Sequence, residues 1–576
     1  MKSSIMWHLT LGMLLICLLI YLSFAATNEF SWSGWPPGDA QTMLSLRQWT
    51  EGGWFANKFL FIPQGYAKVV RFLDEPKLRH HAHGICPATS PLVGPRLWYT
   101  HYPPGYTVPY AILHRLGLHD IFFMRMLSVL FSVGAIIMMY ILFSKILTPG
   151  VSFTAVFFYA ISIPFLDYAD SLQNFPLDDF LRFAFMLAVV FSTRAESLKR
   201  RRIWMVSAWI IQFLVSLSSF DGVFFVYVWL IGWYFIERQG IRWKICLIYA
   251  LAPLTAHFLQ FLQNIWYLGL NDAILDVKGA FLSRSGGEVD YFLTMYSRFV
   301  PIFDKPYKLI ILALIILLFI SYARFLRHKK EKEIPSLGLL VVLFLCGLPF
   351  FLLLPGGAAM PFETKQMLPF TVALVSGCIW AFAREFKSRN YKFYNYVAEQ
   401  VLSSQKKSIL LYALLLFILL TGFVFIVNFN FKKSRYFVPP NNPDVMLSKA
   451  IKSVVTKYEP VIFNIDGFRW YINPNYMRGY PLIHPIIEYY VGSKPILCFT
   501  APEALTSDLL YMIFRSPYKF SPILVASNAA DIENIFSILS KNGALKNTPA
   551  KTLVMDKYVI DLTDYLRWDD IKLKIP

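Results

Sequence analysis

Three aspartates lie where apolar stretches of the sequence meet polar ones, and they are the first candidates for chemistry. Asp39 follows an apolar run, Ile5 to Ala26, that is long enough to cross a bilayer. Asp178 and Asp179 open a later apolar run. Ionisable residues in or beside a membrane are functional by default, because burying their charge is costly. These positions therefore predict reactive carboxylates that face a molecule carried in the lipid.

Each carboxylate also has a structural interpretation. The residues before Asp39 are Pro and Gly, so Asp39 is also a candidate N-cap. Met43, Leu46 and Trp49 then share one face of a short helix, which is predicted to lie along the membrane and to end at Gly52-Gly53. A helix N-terminus favours negative charge, which suits Asp178 and Asp179 equally well. Adjacent helix residues point about 100° apart, so one of the two can cap the helix or pair with Arg182 while the other faces a cavity.

A proline-rich stretch adds candidates for substrate binding. His101 and Tyr102 stand directly before Pro103 and Pro104. A Pro-Pro pair holds the chain extended, which suits the fixed wall of a pocket. A turn with an exposed histidine is the structural alternative.

Polar residues beside later apolar runs complete the candidate binding set, which comprises Asp221, Glu363, Lys365 and Gln366. Lys365 precedes an apolar run on the side of the membrane where lysine is rare, and an ammonium group there can bind a phosphate as a point charge. Alternatively, its aliphatic stem lies along the membrane interface with the charge in water.

A histidine-rich stretch contains residue types that bind zinc, namely His80, His81, His83 and Cys86. Their adjacent spacing matches no zinc-finger pattern, so we favour a basic loop and predict no metal or other cofactor. Cys86 and Cys498 both fall in predicted external segments, where a disulfide between them is a further hypothesis.

Composition indicates a polytopic membrane protein. The chain has 576 residues, of which 56% are hydrophobic, and its mean hydropathy is +0.48. A formal net charge of +19 suggests nucleic acid at first, but the basic residues cluster in short loops between apolar runs. That clustering is typical of cytoplasmic loops in membrane proteins, so we predict no nucleic-acid partner.

We predict about eleven transmembrane helices from the apolar runs. They are Ile5–Ala26, Ile121–Ser144, Val151–Leu166, Pro176–Thr193, Ile203–Leu217, Val223–Ile236, Ile245–Leu268, Leu309–Tyr322, Leu337–Leu354, Met367–Phe382 and Ile409–Val427. The first is interpreted as a retained anchor rather than a signal peptide because it is long for one. Tyr102–Arg115 is interpreted as an interfacial helix, since it is too short to cross.

This arrangement, with a cytoplasmic N-terminus, places most basic loops inside, as the charge rule demands. The candidate acids and His101 then share the external face, within the loop 27–120 and later external segments. Residues 431–576 are less apolar and alternate strand-like and helix-like runs, so we predict a small extracytoplasmic α/β domain there. Residues 1–430 form the transmembrane module, and we place the protein in the plasma (inner) membrane.

The order of these features resembles the GT-C class of membrane glycosyltransferases. The features are Asp39 after the first span, the His101-Tyr102-Pro103-Pro104 corner in an interfacial helix, and Asp178-Asp179 at the next external loop. Within the class, the chain is similar to the protein O-mannosyltransferases and the lipid A aminoarabinose transferase. The resemblance spans roughly residues 1–427 by order and topology, and implies a GT-C-like fold for that part of the chain.

The resemblance implies that a sugar passes, with inversion, from a polyprenyl-phosphate-linked donor to an acceptor hydroxyl of a lipid, glycan or protein. It also implies that Asp39 is the general base and that Asp178 or Asp179 is the second-loop acid of the family. Lys365 and Gln366 stand where the family has Arg and Tyr near the donor phosphate. Asp221 lies in a segment where related enzymes often carry Lys-Gly.

The implied chemistry is consistent with the available side chains. A lipid phosphate is a good leaving group, so the protein has only to deprotonate the acceptor and stabilise separating charge. The long external loop 269–306 is predicted to close over the bound donor. The chain has no Trp-Trp-Asp motif, which argues against transfer of whole oligosaccharides to Asn.

The alternative function is that of a membrane transporter or lipid flippase. Such a protein favours charges buried in the middle of spans and two pseudo-symmetric halves. The predicted spans are nearly free of acidic residues, and the acids gather on one face. The sequence therefore favours the enzyme.

Overall fold

A computed structural model describes most of the N-terminal half of the chain and parts of the rest. The described residues are 2–27, 36–62, 100, 103–236, 243–285, 337–347, 367–377, 380, 443–455, 459–464, 486, 489, 490, 520–541, 543–547, 549, 551–554 and 557–566. The chain divides into two compact units. The first comprises Met1–Asn28, Met124–Gln260 and Lys278–Pro439, and the second comprises Glu29–Phe123, Phe261–Val277 and Pro440–Pro576.

Helices dominate the described residues, and a small sheet lies near the C-terminus. The helices are α1 (Lys2–Thr27), α2 (Pro36–Gly52), α3 (Val108–Arg115), α4 (Ile121–Ile146), α5 (Pro149–Ala160), α6 (Ile163–Tyr168), α7 (Phe175–Arg194), α8 (Leu198–Ser218), α9 (Asp221–Ile236), α10 (Trp243–Leu268), α11 (Leu270–Ser285), α12 (Leu337–Cys346), α13 (Met367–Gly377), α14 (Pro443–Val454) and α15 (Ala529–Lys541). The strands are β1 (Glu459–Asn464), β2 (Phe520–Ala526), β3 (Thr552–Val554) and β4 (Lys557–Asp561).

Within the part of the chain that the structure describes, three helical stretches have the length and apolar composition needed to cross a bilayer. They are Trp7–Thr27, Ile121–Ile146 and Trp243–Leu268, and α5, α13 and residues Phe224–Ile236 are shorter apolar helices. Leu251, Leu254 and Phe258 on α10 are exposed, as expected for side chains that face lipid. The total of about eleven spans stays a prediction, because the runs at 309–322 and 409–427 lie outside the described residues.

The first unit is built from apolar helices in close contact. α7 packs along α8, α9 along α12, and α1 along α5. The α9–α12 contact requires a glycine, because a Cβ on Gly232 would lie 2.3 Å from a methyl carbon of Val342. Small residues at such positions let two helices approach closely, which is how membrane helices gain packing energy.

The single span predicted over Val151–Leu166 is wrong, because two helices occupy this stretch. α5 ends at Ala160, and α6 begins at Ile163. Pro164 has no backbone N–H and cannot continue a helix from the preceding turn. The Ser162 hydroxyl instead accepts a hydrogen bond from the Phe165 amide and begins a new helix.

The second unit contains α2, α3 and the C-terminal sheet. The sheet has the order β1-β2-β4-β3, with β1 parallel to β2 and the other two pairs antiparallel. α15 packs on β2 through an apolar face and α14 packs on β4. The sequence of residues 431–576 has strand-like runs at 460–465, 494–500 and 522–526; the first and third form β1 and β2, whereas β3 and β4 were not predicted. The strand predicted at 494–500 lies outside the described residues.

The loop predicted over residues 269–306 is helical in its first part. Gly269 adopts a left-handed backbone conformation with φ +81°, and α11 begins at the next residue. Glycine suits this position because it has no Cβ to clash. The predicted loop is therefore wrong for Leu270–Ser285, and residues 286–306 lie outside the described part of the chain.

Candidate active site

Asp39 lies inside the first turn of α2, and its side chain is only 1% exposed. The helix begins at Pro36, three residues earlier, so the N-cap interpretation of Asp39 is wrong. Proline favours such a start, because its fixed φ suits a helix and the first helical N–H has no partner. The carboxylate is therefore presented from a rigid helical turn near the positive end of the helix dipole.

α2 is buried on nearly all sides, which the sequence did not indicate. The predicted apolar face of Met43, Leu46 and Trp49 is buried as expected. Thr42 and Ser45, on the other side of the helix, are also fully buried. α2 is therefore enclosed by protein on both sides, and its position along the membrane stays a prediction.

Hydrogen bonds attach the polar side of α2 to the chain that follows it. The Ser45 hydroxyl donates to the Ile62 carbonyl at 2.8 Å and accepts from the Ile62 amide at the same distance. The Trp49 indole N–H donates to the Leu60 carbonyl at 2.8 Å. These bonds satisfy polar groups that would be costly to bury unpaired. They fix the orientation of α2, and with it the direction of Asp39.

The Pro-Pro corner leads into the short helix beside α2. Pro103 is extended, with ψ 130°, and Pro104 begins a 3₁₀ turn that continues into α3. Both prolines are buried, and α3 packs against α2. A short helix is therefore present in the stretch predicted as an interfacial helix, and its interfacial position stays a prediction. His101 and Tyr102 lie outside the described residues.

His114 on α3 joins the two helices through its Nδ1, which lies 2.8 Å from the Thr50 hydroxyl oxygen. Burial lowers the pKa of His114 to about 4, and the nearby charges of His119 and Arg47 lower it further in the same direction. The imidazole is therefore neutral at pH 7. In the unfolded chain it has the ordinary pKa of about 6.5.

We expect this histidine to make folding sensitive to mild acid. The unfolded chain binds a proton near pH 6.5 and the folded chain only near pH 4, so the stabilisation is complete above pH 6.5 and is lost as the pH falls through this window. The Tm of the wild-type protein should therefore fall more steeply between pH 6.5 and 4.5 than that of His114→Asn. His8→Asn, at an exposed site of α1 in the first unit, is the control. Equal slopes for His114→Asn and wild type would contradict the expectation.

Asp178 and Asp179 lie in a buried polar cluster of the first unit. The Asn174 amide donates to Asp178 Oδ2 at 2.6 Å, and the Tyr159 hydroxyl donates to Asp179 Oδ2 at 2.5 Å. Arg182 lies 3.9 Å from Asp179 Oδ1. The sequence left open which of the two aspartates pairs with Arg182. The structure pairs Arg182 with Asp179, whereas Asp178 accepts a hydrogen bond from the side chain of Asn174, one turn earlier.

An ion pair that sequence reasoning missed lies in the same unit. Arg125 Nε donates to Asp170 Oδ2 at 2.8 Å, its second nitrogen contacts the same oxygen, and its third donates to the Ala26 carbonyl at 3.2 Å. Both side chains are at most 1% exposed. The sequence does contain an indication of this pair, because an arginine inside an apolar run is expected to have an acidic or carbonyl partner.

The remaining predicted site residues cannot be located relative to these groups. The side chain of Asp221, at the start of α9, and the whole of Glu363, Lys365 and Gln366 lie outside the described part of the chain. The same holds for the stretch His80–Cys86 and for Cys498. Among the described residues, no three His, Cys, Asp or Glu side chains converge as metal ligands would.

Comparison with solved structures identifies the fold. The chain is similar to ArnT from Cupriavidus metallidurans bound to undecaprenyl phosphate, with a TM-score of 0.51, 11% identity, and coverage of 96% of this chain and 97% of ArnT. The apo form of the same protein gives a TM-score of 0.50 at the same identity and coverage. AglB from Archaeoglobus fulgidus, an archaeal oligosaccharyltransferase, matches with a TM-score of 0.40 and 11% identity, over 88% of this chain and 69% of AglB.

No family model and no curated protein sequence matches the chain. The structural similarity to ArnT, a lipid A aminoarabinose transferase, nevertheless extends over nearly the full length of both proteins. It confirms the resemblance to GT-C glycosyltransferases at the level of the fold. The chain is therefore a mostly helical membrane protein with a GT-C-like fold.

Proposed function

We propose that this protein is an inverting membrane glycosyltransferase that uses a polyprenyl-phosphate-linked sugar. The observation that carries the proposal is the buried carboxylate of Asp39 in the first turn after the first apolar helix, in a chain with a GT-C-like fold. The solved ArnT structure contains undecaprenyl phosphate, which supports a lipid-linked donor of this kind here. The acceptor is a hydroxyl group of a lipid, glycan or protein on the external face of the plasma membrane.

In the proposed reaction, Asp39 takes the proton of the acceptor hydroxyl as its oxygen attacks the anomeric carbon. A new glycosidic bond forms while the bond from that carbon to the phosphate oxygen breaks, and polyprenyl phosphate leaves. Attack from the face opposite the phosphate inverts the anomeric configuration. A base positioned for such a proton transfer accelerates a reaction by about 10²–10⁴-fold. No acid is needed for the departing phosphate.

Asp178 and Asp179 are proposed as the second acidic group of the enzyme. Their hydrogen bonds to Asn174 and Tyr159 hold both carboxylates in fixed orientations. The guanidinium of Arg182 lies 3.9 Å from Asp179 Oδ1 and so places a positive charge beside that carboxylate. Asp221, Glu363, Lys365 and Gln366 remain proposed substrate-binding residues, with Lys365 as the cation for the donor phosphate. No metal enters the proposed reaction.

The charged residues of the first unit do not favour the transporter alternative. Arg125 lies in the second turn of α4, and Asp178, Asp179 and Arg182 lie within the first eight residues of α7. A transporter is expected to carry such charges near the middle of its spans. Charges at helix ends suit a site at the rim of the bilayer.

The proposal is tested with purified full-length protein in liposomes that contain a set of undecaprenyl-phosphate sugars with radiolabelled sugar moieties. Lipid, glycan and protein fractions of a membrane extract serve as acceptors. We expect at least one labelled sugar to appear on an acceptor, with release of an equal amount of undecaprenyl phosphate and inversion at the anomeric carbon. Movement of the labelled lipid between leaflets without any transfer would overturn the proposal in favour of a flippase.

A further inference from the structure

The helix that carries Asp39 packs against the C-terminal part of its own unit. Ala40, the next residue after Asp39, forms one buried cluster with Val445 and Ile486. Tyr489 and Tyr490 pack against this cluster. The first turn of α2 is therefore in contact with residues that lie about four hundred positions later in the sequence.

A second contact lies two turns further along the same helix. Arg47 follows Ala40 by seven residues and so lies on the same face of α2. Its guanidinium is 5.7 Å from the centroid of the Tyr489 ring, a geometry in which the cation is attracted to the aromatic face. Tyr489 thus packs against the cluster that contains Ala40 and also contacts Arg47 of α2. Two contacts on one face restrict both the tilt and the rotation of a helix.

The C-terminal side of this contact is part of a packed helix and sheet. Val445 belongs to α14, whose inward side chains Val445, Leu447 and Ile451 are buried. α14 packs on β4, which is hydrogen-bonded between β2 and β3. The sheet therefore supports α14, and α14 supports the first turn of α2. Ala40 allows this close packing because its side chain is a single methyl group.

We propose that the C-terminal sheet and α14 form a positioning element for Asp39, with Tyr489 as the residue that couples them to α2. The inference rests on the proposed role of Asp39 as general base. A base must lie within hydrogen-bond reach of the proton that it takes, and a displacement of about 1 Å can cost about 10²-fold in rate. The C-terminal part of the chain thereby affects the transfer rate through the position of Asp39, whether or not it also contacts the acceptor.

Three variants of the full-length protein test this role. Tyr489→Leu removes the aromatic ring, and Tyr489→Phe keeps it and serves as the conservative rescue. Leu539→Ala, in a buried position of α15 against the sheet, destabilises the same part of the chain without touching the cluster around Ala40. We expect Tyr489→Leu to lower kcat by about tenfold with an unchanged KM for the undecaprenyl-phosphate sugar. Tyr489→Phe and Leu539→Ala should retain kcat per folded molecule to within about twofold.

A second readout does not depend on activity. The accessibility of Asp39 is measured by its modification with a water-soluble carbodiimide and an amine, followed by mass spectrometry. Asp39 should be unreactive in wild type, Tyr489→Phe and Leu539→Ala, because its side chain is buried, and reactive in Tyr489→Leu. If Tyr489→Leu does not fold, Val445→Ala opens a smaller gap at the same cluster and takes its place.

The two readouts separate the inference from the proposed function. If the wild-type protein transfers no sugar, the glycosyltransferase proposal is refuted. If Asp39 is nevertheless labelled only in Tyr489→Leu, the packing role of Tyr489 still stands. Labelling of Asp39 in Tyr489→Leu at the wild-type level would overturn the positioning role. Equal labelling and equal loss of kcat in Tyr489→Leu and Leu539→Ala would overturn it as well, since general destabilisation would then explain both.

Discussion

Asp39→Asn should lower the rate of sugar transfer by about 10²–10⁴-fold, the range expected for loss of a positioned general base. Asparagine has nearly the same shape as aspartate but cannot accept the acceptor's proton at neutral pH. Because the substitution is isosteric, α2 should keep its packing and the Tm should change little. The measurement is the initial rate of label transfer from an undecaprenyl-phosphate sugar, normalised to folded protein.

The loss should appear in kcat, with the KM for the lipid-linked donor unchanged, because the base acts on the acceptor. Asp120→Asn is the matched control. Asp120 is an exposed aspartate of the same unit, whose Oδ1 accepts a hydrogen bond from the Phe122 amide at 2.7 Å. That variant should transfer sugar at the wild-type rate. Full transfer by Asp39→Asn would show that another group takes the proton.

The second large effect is expected at the buried ion pair of the first unit. Arg125→Met leaves the Asp170 carboxylate buried without its cation, and Asp170→Asn leaves the guanidinium without its anion. Removing one partner of a buried pair costs about 3–5 kcal/mol, mostly because the remaining charge stays buried and uncompensated. Each single variant should therefore lower the free energy of unfolding by this amount. Arg125→Met also removes the hydrogen bond to the Ala26 carbonyl near the end of α1.

The measurement is equilibrium unfolding in mixed micelles, and a double variant completes the cycle. Arg125→Met with Asp170→Leu replaces both charges by apolar groups and should recover most of the loss, because no unpaired charge remains. The control is Arg194→Met. Arg194 donates to the Lys145 carbonyl at 2.8 Å but is exposed, so its removal should cost less than about 1 kcal/mol. Equal losses for Arg125→Met and Arg194→Met would contradict the assigned role of the buried pair.

Much of the secondary structure follows from patterns within a few residues of one another. The helical spacing of Met43, Leu46 and Trp49 predicted α2, and the Gly-Gly pair predicted its end, where Gly53 has φ +81°. Apolar runs predicted α1, α4, α7 and α10 to within a few residues. Such patterns are reliable because a helix or strand is formed by hydrogen bonds and side-chain contacts between near neighbours.

The local errors also have local causes. Hydropathy predicts a single span across Ser162 and Pro164, because it does not register that proline lacks the N–H needed to continue a helix. Leu270–Ser285 lies within the predicted loop yet forms α11, because mixed polarity over a short stretch does not exclude a helix. β4 is only five residues long, which is too short for a clear alternation of buried and exposed positions.

The sequence by itself determined that the chain is a helical membrane protein with a GT-C-like order of features. It also singled out Asp39 as the candidate general base. Only the tertiary structure decided what surrounds the charged groups. Arg125 reaches Asp170 across 45 residues, and Ala40 packs on Val445. Contacts of this kind depend on the path of the whole chain, since burial and hydrogen bonding join residues by position in space, whereas helical periodicity is set by neighbours within about four residues.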